Sequence, residues 1–304
     1  MTIQEMQSEI LRLKKEKDVF ILAHSYEKHE ITEIADVVGD SYRLACAAKN
    51  IRHKTVLLCG VRFMAETVKI LSPEKRVILS HREAGCPMAE GLSAEHLEEL
   101  QKQYPNAVTV AYINTTAQVK ALSDVCVTSS SAVKVISRLP DKEILFVPDR
   151  NLGSFCQKQL PDKTFYFGGE GCPIHMNASV SDVERVKKEH PHALLLVHPE
   201  CFEEVVKEAD YVGSTSGIME IVRKSTHGEF IIGTDYSIIE HLEYEFPDKK
   251  FYPLSKKLMC VNMRLTTLKD VRDCLLGGGE EIKLDELLRV SAKRCIDRMI
   301  SLGG

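Results

Sequence analysis

Apolar residues along the chain form short runs that are separated by helical patterns. The runs VFILA (19–23), TVLLC (55–59) and ALLLV (193–197) are rich in aliphatic residues, which is typical of buried strands. Between such runs, apolar residues recur with the spacing of a helix that buries one face. Strands that alternate with helices predict an α/β protein with parallel sheets and right-handed crossovers.

The N-terminal stretch MTIQEMQSEILRLKKEKD predicts an amphipathic helix that Thr2 and Glu5 cap. Its apolar face comprises Ile3, Met6, Ile10 and Leu13. The stretch lacks the apolar core of a signal peptide, and no apolar run approaches the ~18 residues of a membrane helix. We therefore expect a cytoplasmic protein without a membrane partner, in which stable disulfides are not favoured.

Composition supports this expectation. The chain has 304 residues, of which 44% are hydrophobic and 28% charged, with a formal net charge of −4. This balance is typical of a globular protein with two or three modules. No stripe of Lys and Arg with interleaved aromatic residues occurs, so we expect no nucleic-acid partner.

Three segments of the chain, 23–41, 111–129 and 197–215, resemble one another. Each starts where a strand ends, passes through a short helical pattern and reaches an Asp that opens another strand. The interval from the strand end to the Asp is 12 residues in every copy, and the three are Asp36, Asp124 and Asp210.

The repeat continues into a loop that holds one cysteine in each copy. These cysteines are Cys86 in AGCPM, Cys172 in EGCPI and Cys260 in LMCVN, 86 and then 88 residues apart. The others lie in apolar runs or helical patterns, where a free cysteine acts as a small hydrophobic residue. They are Cys46, Cys59, Cys126, Cys156, Cys201, Cys274 and Cys295.

The repeat predicts three similar α/β/α domains with small parallel sheets about a pseudo-threefold axis. Their expected boundaries are 1–91, 92–177 and 178–264, with two C-terminal helices in 265–304 that pack back on the first domain. The GGG at 277–279 separates those two helices. A linker helix at 182–190 is expected to begin with the capping pair Ser181 and Glu184.

Equivalent loops at the carboxyl ends of strands converge if the three domains face a common axis. Three thiolates at one point indicate a metal. A [4Fe–4S] cluster held by three cysteines keeps one iron open as a Lewis acid. A zinc ion with an open fourth position and three merely buried thiols are the alternatives.

The strand ends also carry polar groups, namely His24 and Tyr26, Tyr112 and Asn114, and His198 and Glu200. A His or Glu there moves protons if its pKa is drawn towards neutrality. A second set precedes helical patterns and is interpreted as N-caps that also attract phosphate or carboxylate: Ser41, Ser129, Ser214 and Thr215. We therefore expect a small, multiply anionic substrate.

An ordered series of motifs resembles the quinolinate synthase family from about residue 20 to 265. The series is AHSY (23–26), GDS (39–41), YIN (112–114), DVCVTS (124–129), GCPIH (171–175), HPEC (198–201), GST (213–215) and CVNM (260–263). The resemblance implies a [4Fe–4S] cluster that is held by Cys86, Cys172 and Cys260, with one open iron.

The reaction implied by the resemblance is the condensation of iminoaspartate with dihydroxyacetone phosphate to quinolinate for NAD biosynthesis. Phosphate and water are lost, and an aspartate oxidase or dehydrogenase is the implied source of iminoaspartate. The implied roles are acid/base for Tyr26 and Glu200; substrate binding or proton relay for His24, His175 and His198; substrate orientation for Tyr112 and Asn114; and anion binding for Ser41, Ser129, Ser214 and Thr215.

The chain departs from the family's motifs in places, and other classes of protein are alternatives. GSTSG stands where the family has GSTG, so either Ser214 or Thr215 makes the main anion contact. Two other families of iron–sulfur enzymes share the three-lobed architecture and the three cysteines but not these motifs. One reduces an allylic diphosphate, and the other starts diphthamide formation. A non-catalytic, zinc-stabilised binding protein is the alternative of a different class, and it would be colourless.

Overall fold

The computed structural model describes residues 2–303, which form three small β-sheets with helices between the strands. This confirms the predicted α/β class. The chain forms two compact units: one runs to Cys86 and resumes over Cys260–Lys293, and the other comprises Pro87–Met259 and the chain from Arg294 on. The division into three domains about an axis stays a prediction. A search of the described residues found no helix that could span a membrane.

The first unit begins with a four-stranded parallel sheet in which β1 lies between β2 and β3, with β4 outside β3. Its elements are α1 (Ile3–Glu16), β1 (Val19–His24), α2 (His29–Thr32), β2 (Val37–Gly39), α3 (Ser41–Ala48), β3 (Thr55–Cys59), α4 (Arg62–Leu71) and β4 (Arg76–Leu79). The capping box of Thr2 and Glu5 is confirmed at α1. Ile10 and Leu13 are buried, whereas Ile3 is 55% exposed because the first turn extends beyond the core.

The second sheet has the order β6-β5-β7-β8 and is all parallel. It belongs to the segment α5 (Pro87–Gly91), α6 (Ala94–Gln103), β5 (Val108–Tyr112), α7 (Ala117–Leu122), β6 (Val125–Val127), α8 (Ala132–Ser137), β7 (Glu143–Val147), α9 (Arg150–Gln159) and β8 (Thr164–Phe167). A 3₁₀ helix, His175–Asn177, follows the Cys172 loop.

The third sheet has the equivalent order β10-β9-β11-β12 and is also all parallel. Its segment is α10 (Val180–Glu189), β9 (Leu194–Val197), α11 (Glu203–Lys207), β10 (Tyr211–Val212), α12 (Thr215–Lys224), β11 (Glu229–Gly233), α13 (Ser237–Glu245) and β12 (Lys250–Pro253). The predicted cap of α10 is wrong: Ser179 and Asp182 form the capping box, two residues earlier than Ser181 and Glu184.

The C-terminal segment contains the 3₁₀ helix Val261–Arg264, α14 (Leu268–Leu275), β13 (Glu280–Glu281) and α15 (Glu286–Ser301). Within the first unit, α14 shares a hydrophobic core with Ile10 and Leu13 of α1. Gly277 and Gly279 adopt φ of +106° and +82°, which ends α14 as predicted. The sequence did not predict β13, which pairs antiparallel with β4.

Side-chain bonds reproduce the sequence repeat in all three sheets. Each repeated Asp accepts a hydrogen bond from a main-chain N–H of its first strand: Asp36 from Ile21 at 2.8 Å, Asp124 from Thr109 at 2.8 Å and Asp210 from Leu195 at 2.7 Å. A Lys directly before the fourth strand of each sheet donates to two main-chain carbonyl oxygens in the segment that precedes the third strand. The bonds run from Lys75 to Ile51 and His53, from Lys163 to Leu139 and Asp141, and from Lys249 to Val222 and Ser225. Every copy of the repeat therefore contains the same Asp bond and the same pair of Lys bonds.

Candidate active site

Glu200 is the centre of a buried hydrogen-bond network in the second unit. Tyr112, at the end of β5, donates its Oη–H to Glu200 Oε1 at 2.6 Å. His175 Nδ1, at the start of the 3₁₀ helix, lies 2.9 Å from Glu200 Oε2. All three side chains are buried. The structure thus brings together three of the predicted site residues, from two different sheets and one loop.

His198 forms one wall of this network. Its ring stacks on the ring of His175 with centroids 4.7 Å apart. The Glu200 N–H donates to His198 Nδ1 at 3.3 Å. The end of β1 in the first unit repeats this bond, because the Tyr26 N–H donates to His24 Nδ1 at 3.1 Å.

The pKa values of Glu200 and His175 are shifted in opposite directions. Burial raises the pKa of Glu200, but the neighbouring His175 and His198 and the two side-chain hydrogen bonds outweigh it and hold this pKa well below its ordinary value. Burial lowers the pKa of His175, and the Glu200 carboxylate more than reverses that effect, so the His175 pKa is raised. The pair therefore holds its proton on His175 and its negative charge on Glu200.

Cys172 lies in a tight loop beside this network. Gly169 and Gly171 adopt φ of +94° and +116°, a region that favours glycine. The Cys172 N–H donates to Asp149 Oδ2 at 2.9 Å. Burial and the nearby Glu200 raise the pKa of Asp149 to about 8. One ligand atom each from Cys172, His175 and Glu200 lies within 4.8 Å of the others, so these residues could also hold a metal ion.

The other two predicted cysteine ligands lie in the first unit. Cys86 and Cys260 are both half-buried. The loops that contain them are adjacent, because Asn262 Nδ2 donates to the Gly85 carbonyl at 2.8 Å. Cys172 is also half-buried, whereas six of the seven remaining cysteines are buried and Cys46 is half-buried. Among residues 2–303, none of the ten cysteines forms a disulfide.

The predicted N-caps are only partly correct. Ser214 caps α12 by accepting the Gly217 N–H at 3.1 Å, and Thr215 is the first helical residue. Asp40, not Ser41, caps α3, because its carboxylate accepts the Arg43 N–H at 3.0 Å. Ser131, not Ser129, occupies the N-cap position of α8, which starts two residues later than the pattern predicts. The anion-binding roles of Ser41 and Ser129 stay predictions.

Sequence reasoning missed several residues that support this network. Asn151 Nδ2 donates to the Glu200 carbonyl at 3.0 Å, and Thr234 Oγ1 lies 3.0 Å from His175 Nε2. Asp149 and Asp235 occupy equivalent positions in the repeated segments VPDRN and GTDYS. This shared register is the signal that could have identified them, since a buried acid rarely recurs at one position without a partner.

These features define an α/β protein with a buried network of Glu, His and Tyr side chains. A sequence profile of the quinolinate synthetase A protein family matches residues 8–301. The quinolinate synthase of Caldicellulosiruptor bescii is 46% identical over 303 residues, 100% of both chains. That of Geobacter metallireducens is 46% identical over 302 residues, 99% of each chain. The chain belongs to the quinolinate synthetase A family, which confirms the resemblance that the motifs indicated.

Proposed function

We propose that the protein condenses iminoaspartate with dihydroxyacetone phosphate to form quinolinate, the precursor of the NAD pyridine ring. The family membership supports this reaction, and the buried Tyr112–Glu200–His175 network is the observation that carries it. A condensation that loses water and phosphate requires proton transfers away from bulk solvent. The substrates supply the anionic groups that the sequence predicts, and an aspartate oxidase or dehydrogenase in the same cytoplasm would supply the imine.

The cofactor in this proposal is a [4Fe–4S] cluster with Cys86, Cys172 and Cys260 as ligands. The chemistry of the donors fits, because each is a half-buried cysteine in the repeated loop, and thiolates are the usual protein ligands of iron–sulfur clusters. The Asn262–Gly85 bond additionally holds two of the three loops side by side. When bound, a cluster with three protein ligands supplies an open iron that acts as a Lewis acid on a substrate oxygen.

Proton transfer is assigned to Glu200 and His175. Glu200 is ionised and holds a proton on His175, and the protonated His175 that faces Glu200 Oε2 donates this proton to the substrate. Tyr112 fixes the carboxylate through Oε1, so its orientation does not change as the proton moves. Tyr26 and His24 supply the corresponding acid/base and binding groups of the first unit, as the family resemblance implies.

Substrate binding is assigned to Asn114 and to the start of α12. Asn114 Oδ1 is buried without a hydrogen-bond donor among the described residues, so it suits an N–H or O–H of the substrate. At α12, a Cβ on Gly213 or Gly217 would lie 2.4 or 2.6 Å from the Tyr211 hydroxyl, so the loop wraps this hydroxyl closely. Burial raises the pKa of Tyr211 and keeps it a neutral donor for an anion beside Ser214.

A mononuclear metal enzyme is the second candidate, and the grouping of Cys172, His175 and Glu200 favours it. Such an ion would be held by Cys172, His175 and Glu200 and would not involve Cys86 or Cys260. Metal analysis separates the two cases: about four irons and four sulfides per chain support the cluster, whereas one zinc or iron without sulfide supports the single ion.

The decisive experiment is an anaerobic assay with the cluster-loaded protein, dihydroxyacetone phosphate, and aspartate with an oxidase and an electron acceptor other than oxygen, which together generate iminoaspartate. We expect quinolinate as the product. Replacing Cys172 with Ser should abolish both iron binding and turnover, because a ligand thiolate is lost. Replacing the buried Cys156 with Ser should leave the iron content unchanged. Absence of quinolinate from a brown, iron-replete protein would reject the proposed reaction.

A further inference from the structure

Asp149 lies where β7 ends and α9 begins, and its side chain is fully buried. Its Oδ1 accepts a hydrogen bond from the Leu152 N–H at 2.7 Å and thereby caps α9. Its Oδ2 accepts one from the Cys172 N–H at 2.9 Å. A single buried carboxyl group therefore joins the start of a helix to the main chain of a cysteine in a loop.

The loop that precedes Cys172 needs an external support because its backbone is unusual. Gly169 and Gly171 have no side chains and positive φ angles, so their conformations are accessible but weakly favoured. A Cβ on Gly171 would lie 3.3 Å from Asp149 Oδ2, so the carboxylate packs directly against this loop. The contact restricts a segment that glycine would otherwise leave free to adopt other conformations.

The other two copies of the repeat hold the equivalent loop with main-chain bonds. The Arg62 N–H donates to the Ala84 carbonyl at 2.8 Å, and the Tyr236 N–H donates to the Leu258 carbonyl at 2.6 Å. Each acceptor lies two residues before the predicted ligand. In the second copy a side chain, Asp149, takes this part and bonds to the cysteine residue itself.

The same loop leads directly into the acid–base network. The Met176 N–H donates to the Cys172 carbonyl at 3.1 Å, so the turn that carries His175 starts from Cys172. A shift of the Cys172 main chain therefore also moves His175 relative to Glu200.

We propose that Asp149 is a positioning residue for Cys172 and, through the following turn, for His175. The part of this inference that concerns the cluster rests on the proposed function. Hydrogen bonds to the groups behind a metal ligand commonly change metal retention by about 10- to 100-fold.

The test compares Asp149→Ser with the wild-type protein and with Asp124→Ser. A Ser at position 149 still caps α9 but is too short to bond to both N–H groups. Asp124→Ser removes a carboxylate bond of the same kind, to the Thr109 N–H, in the same sheet. Asp149→Asn, which keeps the side-chain volume but cannot accept through both atoms, is the second variant if Asp149→Ser does not fold.

The first readout is the rate at which iodoacetamide alkylates Cys172 in the iron-free protein, followed by mass spectrometry. We expect the rate to rise about 10-fold or more in Asp149→Ser, with Cys86 unchanged, because the loop opens more often. The second readout is iron release to a chelator from the cluster-loaded protein, which should be about 10- to 100-fold faster. Asp124→Ser should match the wild type in both.

Wild-type alkylation and iron-release rates in Asp149→Ser would overturn the inference. Equal acceleration in Asp124→Ser would also overturn it, since the effect would then be general destabilisation. If the wild-type protein binds no iron at all, the proposed cluster fails, while the alkylation rate of Cys172 still decides the role of Asp149.

Discussion

The ends of β1 and β9 are equivalent in the repeat, yet they hold buried glutamates in opposite charge states. Both strands lead to a His whose Nδ1 accepts a main-chain N–H two residues on. After β1 comes Glu27, which is fully buried, and burial raises its pKa to about 8 despite the opposing effects of Thr266 and nearby cations. After β9 comes Glu200, whose pKa is held well below its usual value.

The difference shows that burial alone does not set the charge of a carboxyl group. Glu200 interacts with His175, His198 and the Tyr112 hydroxyl, and together these groups lower its pKa by more than desolvation raises it. For Glu27, desolvation remains the dominant effect. At neutral pH, Glu27 therefore keeps its proton, whereas Glu200 stays ionised.

The largest expected effect comes from Glu200→Gln. A neutral amide cannot hold a proton on His175, so turnover should fall by about 10²- to 10⁴-fold while iron content stays at the wild-type level. Steady-state quinolinate formation and iron analysis on the same sample provide the measurement. Glu229→Gln, at the start of β11, should retain wild-type turnover. Near-normal activity of Glu200→Gln would remove this residue from the proton-transfer role.

Tyr112→Phe should have the next largest effect. It removes the 2.6 Å hydrogen bond to Glu200 Oε1, which raises the Glu200 pKa and frees its orientation. We expect kcat to fall by about 10- to 100-fold. The basic limb of the pH–rate profile should move upward, because a carboxylate with one hydrogen bond fewer holds the His175 proton more tightly. Tyr166→Phe, which removes a 3.1 Å bond to Glu143, is the matched control. An unshifted basic limb would contradict the assigned support.

Glu27→Gln should change the pH dependence of stability. The Glu27 pKa is 4.5 in the unfolded chain and about 8 when folded, so the folded state binds more protons between these values. Its contribution to stability is complete below pH 4.5 and is lost as pH rises towards 8, by up to about 1.4 kcal/mol per pH unit. Urea unfolding at pH 5, 6.5 and 8 should give a shallower decline for the variant. Identical slopes for variant and wild type would show that Glu27 does not titrate in this range.

Much of the fold could be predicted from the sequence because it follows local patterns and a repeat. The interval that marked Asp36, Asp124 and Asp210 corresponds to one hydrogen bond found in every sheet. The antiparallel strand β13 was missed because two residues, Glu280 and Glu281, carry no strand pattern of their own and are set by the edge of β4.

The site was predictable in its residues but not in its connections. Glu200, His175 and Tyr112 were identified separately, and their joint network depends on how two sheets and a loop meet. The cap positions failed for a local reason: Asp40 and Ser41 are both good N-cap residues, and only the backbone geometry decides between them. The repeat marks the position of Asp149 through its equivalent Asp235, but not its role, because that role depends on a loop that lies 23 residues further along the chain.

The lysine hydrogen bonds that recur in the three sheets bear on the origin of the chain. Lys75, Lys163 and Lys249 make the same pair of bonds at intervals of 88 and 86 residues, although none of them belongs to the site. Such shared internal bonds, combined with different residues at the strand ends, are the pattern expected when one ancestral module is copied twice and each copy then specialises. The internal bonds that the copies share would then reflect their common origin, and the residues that differ at the strand ends would reflect the separate roles of the copies.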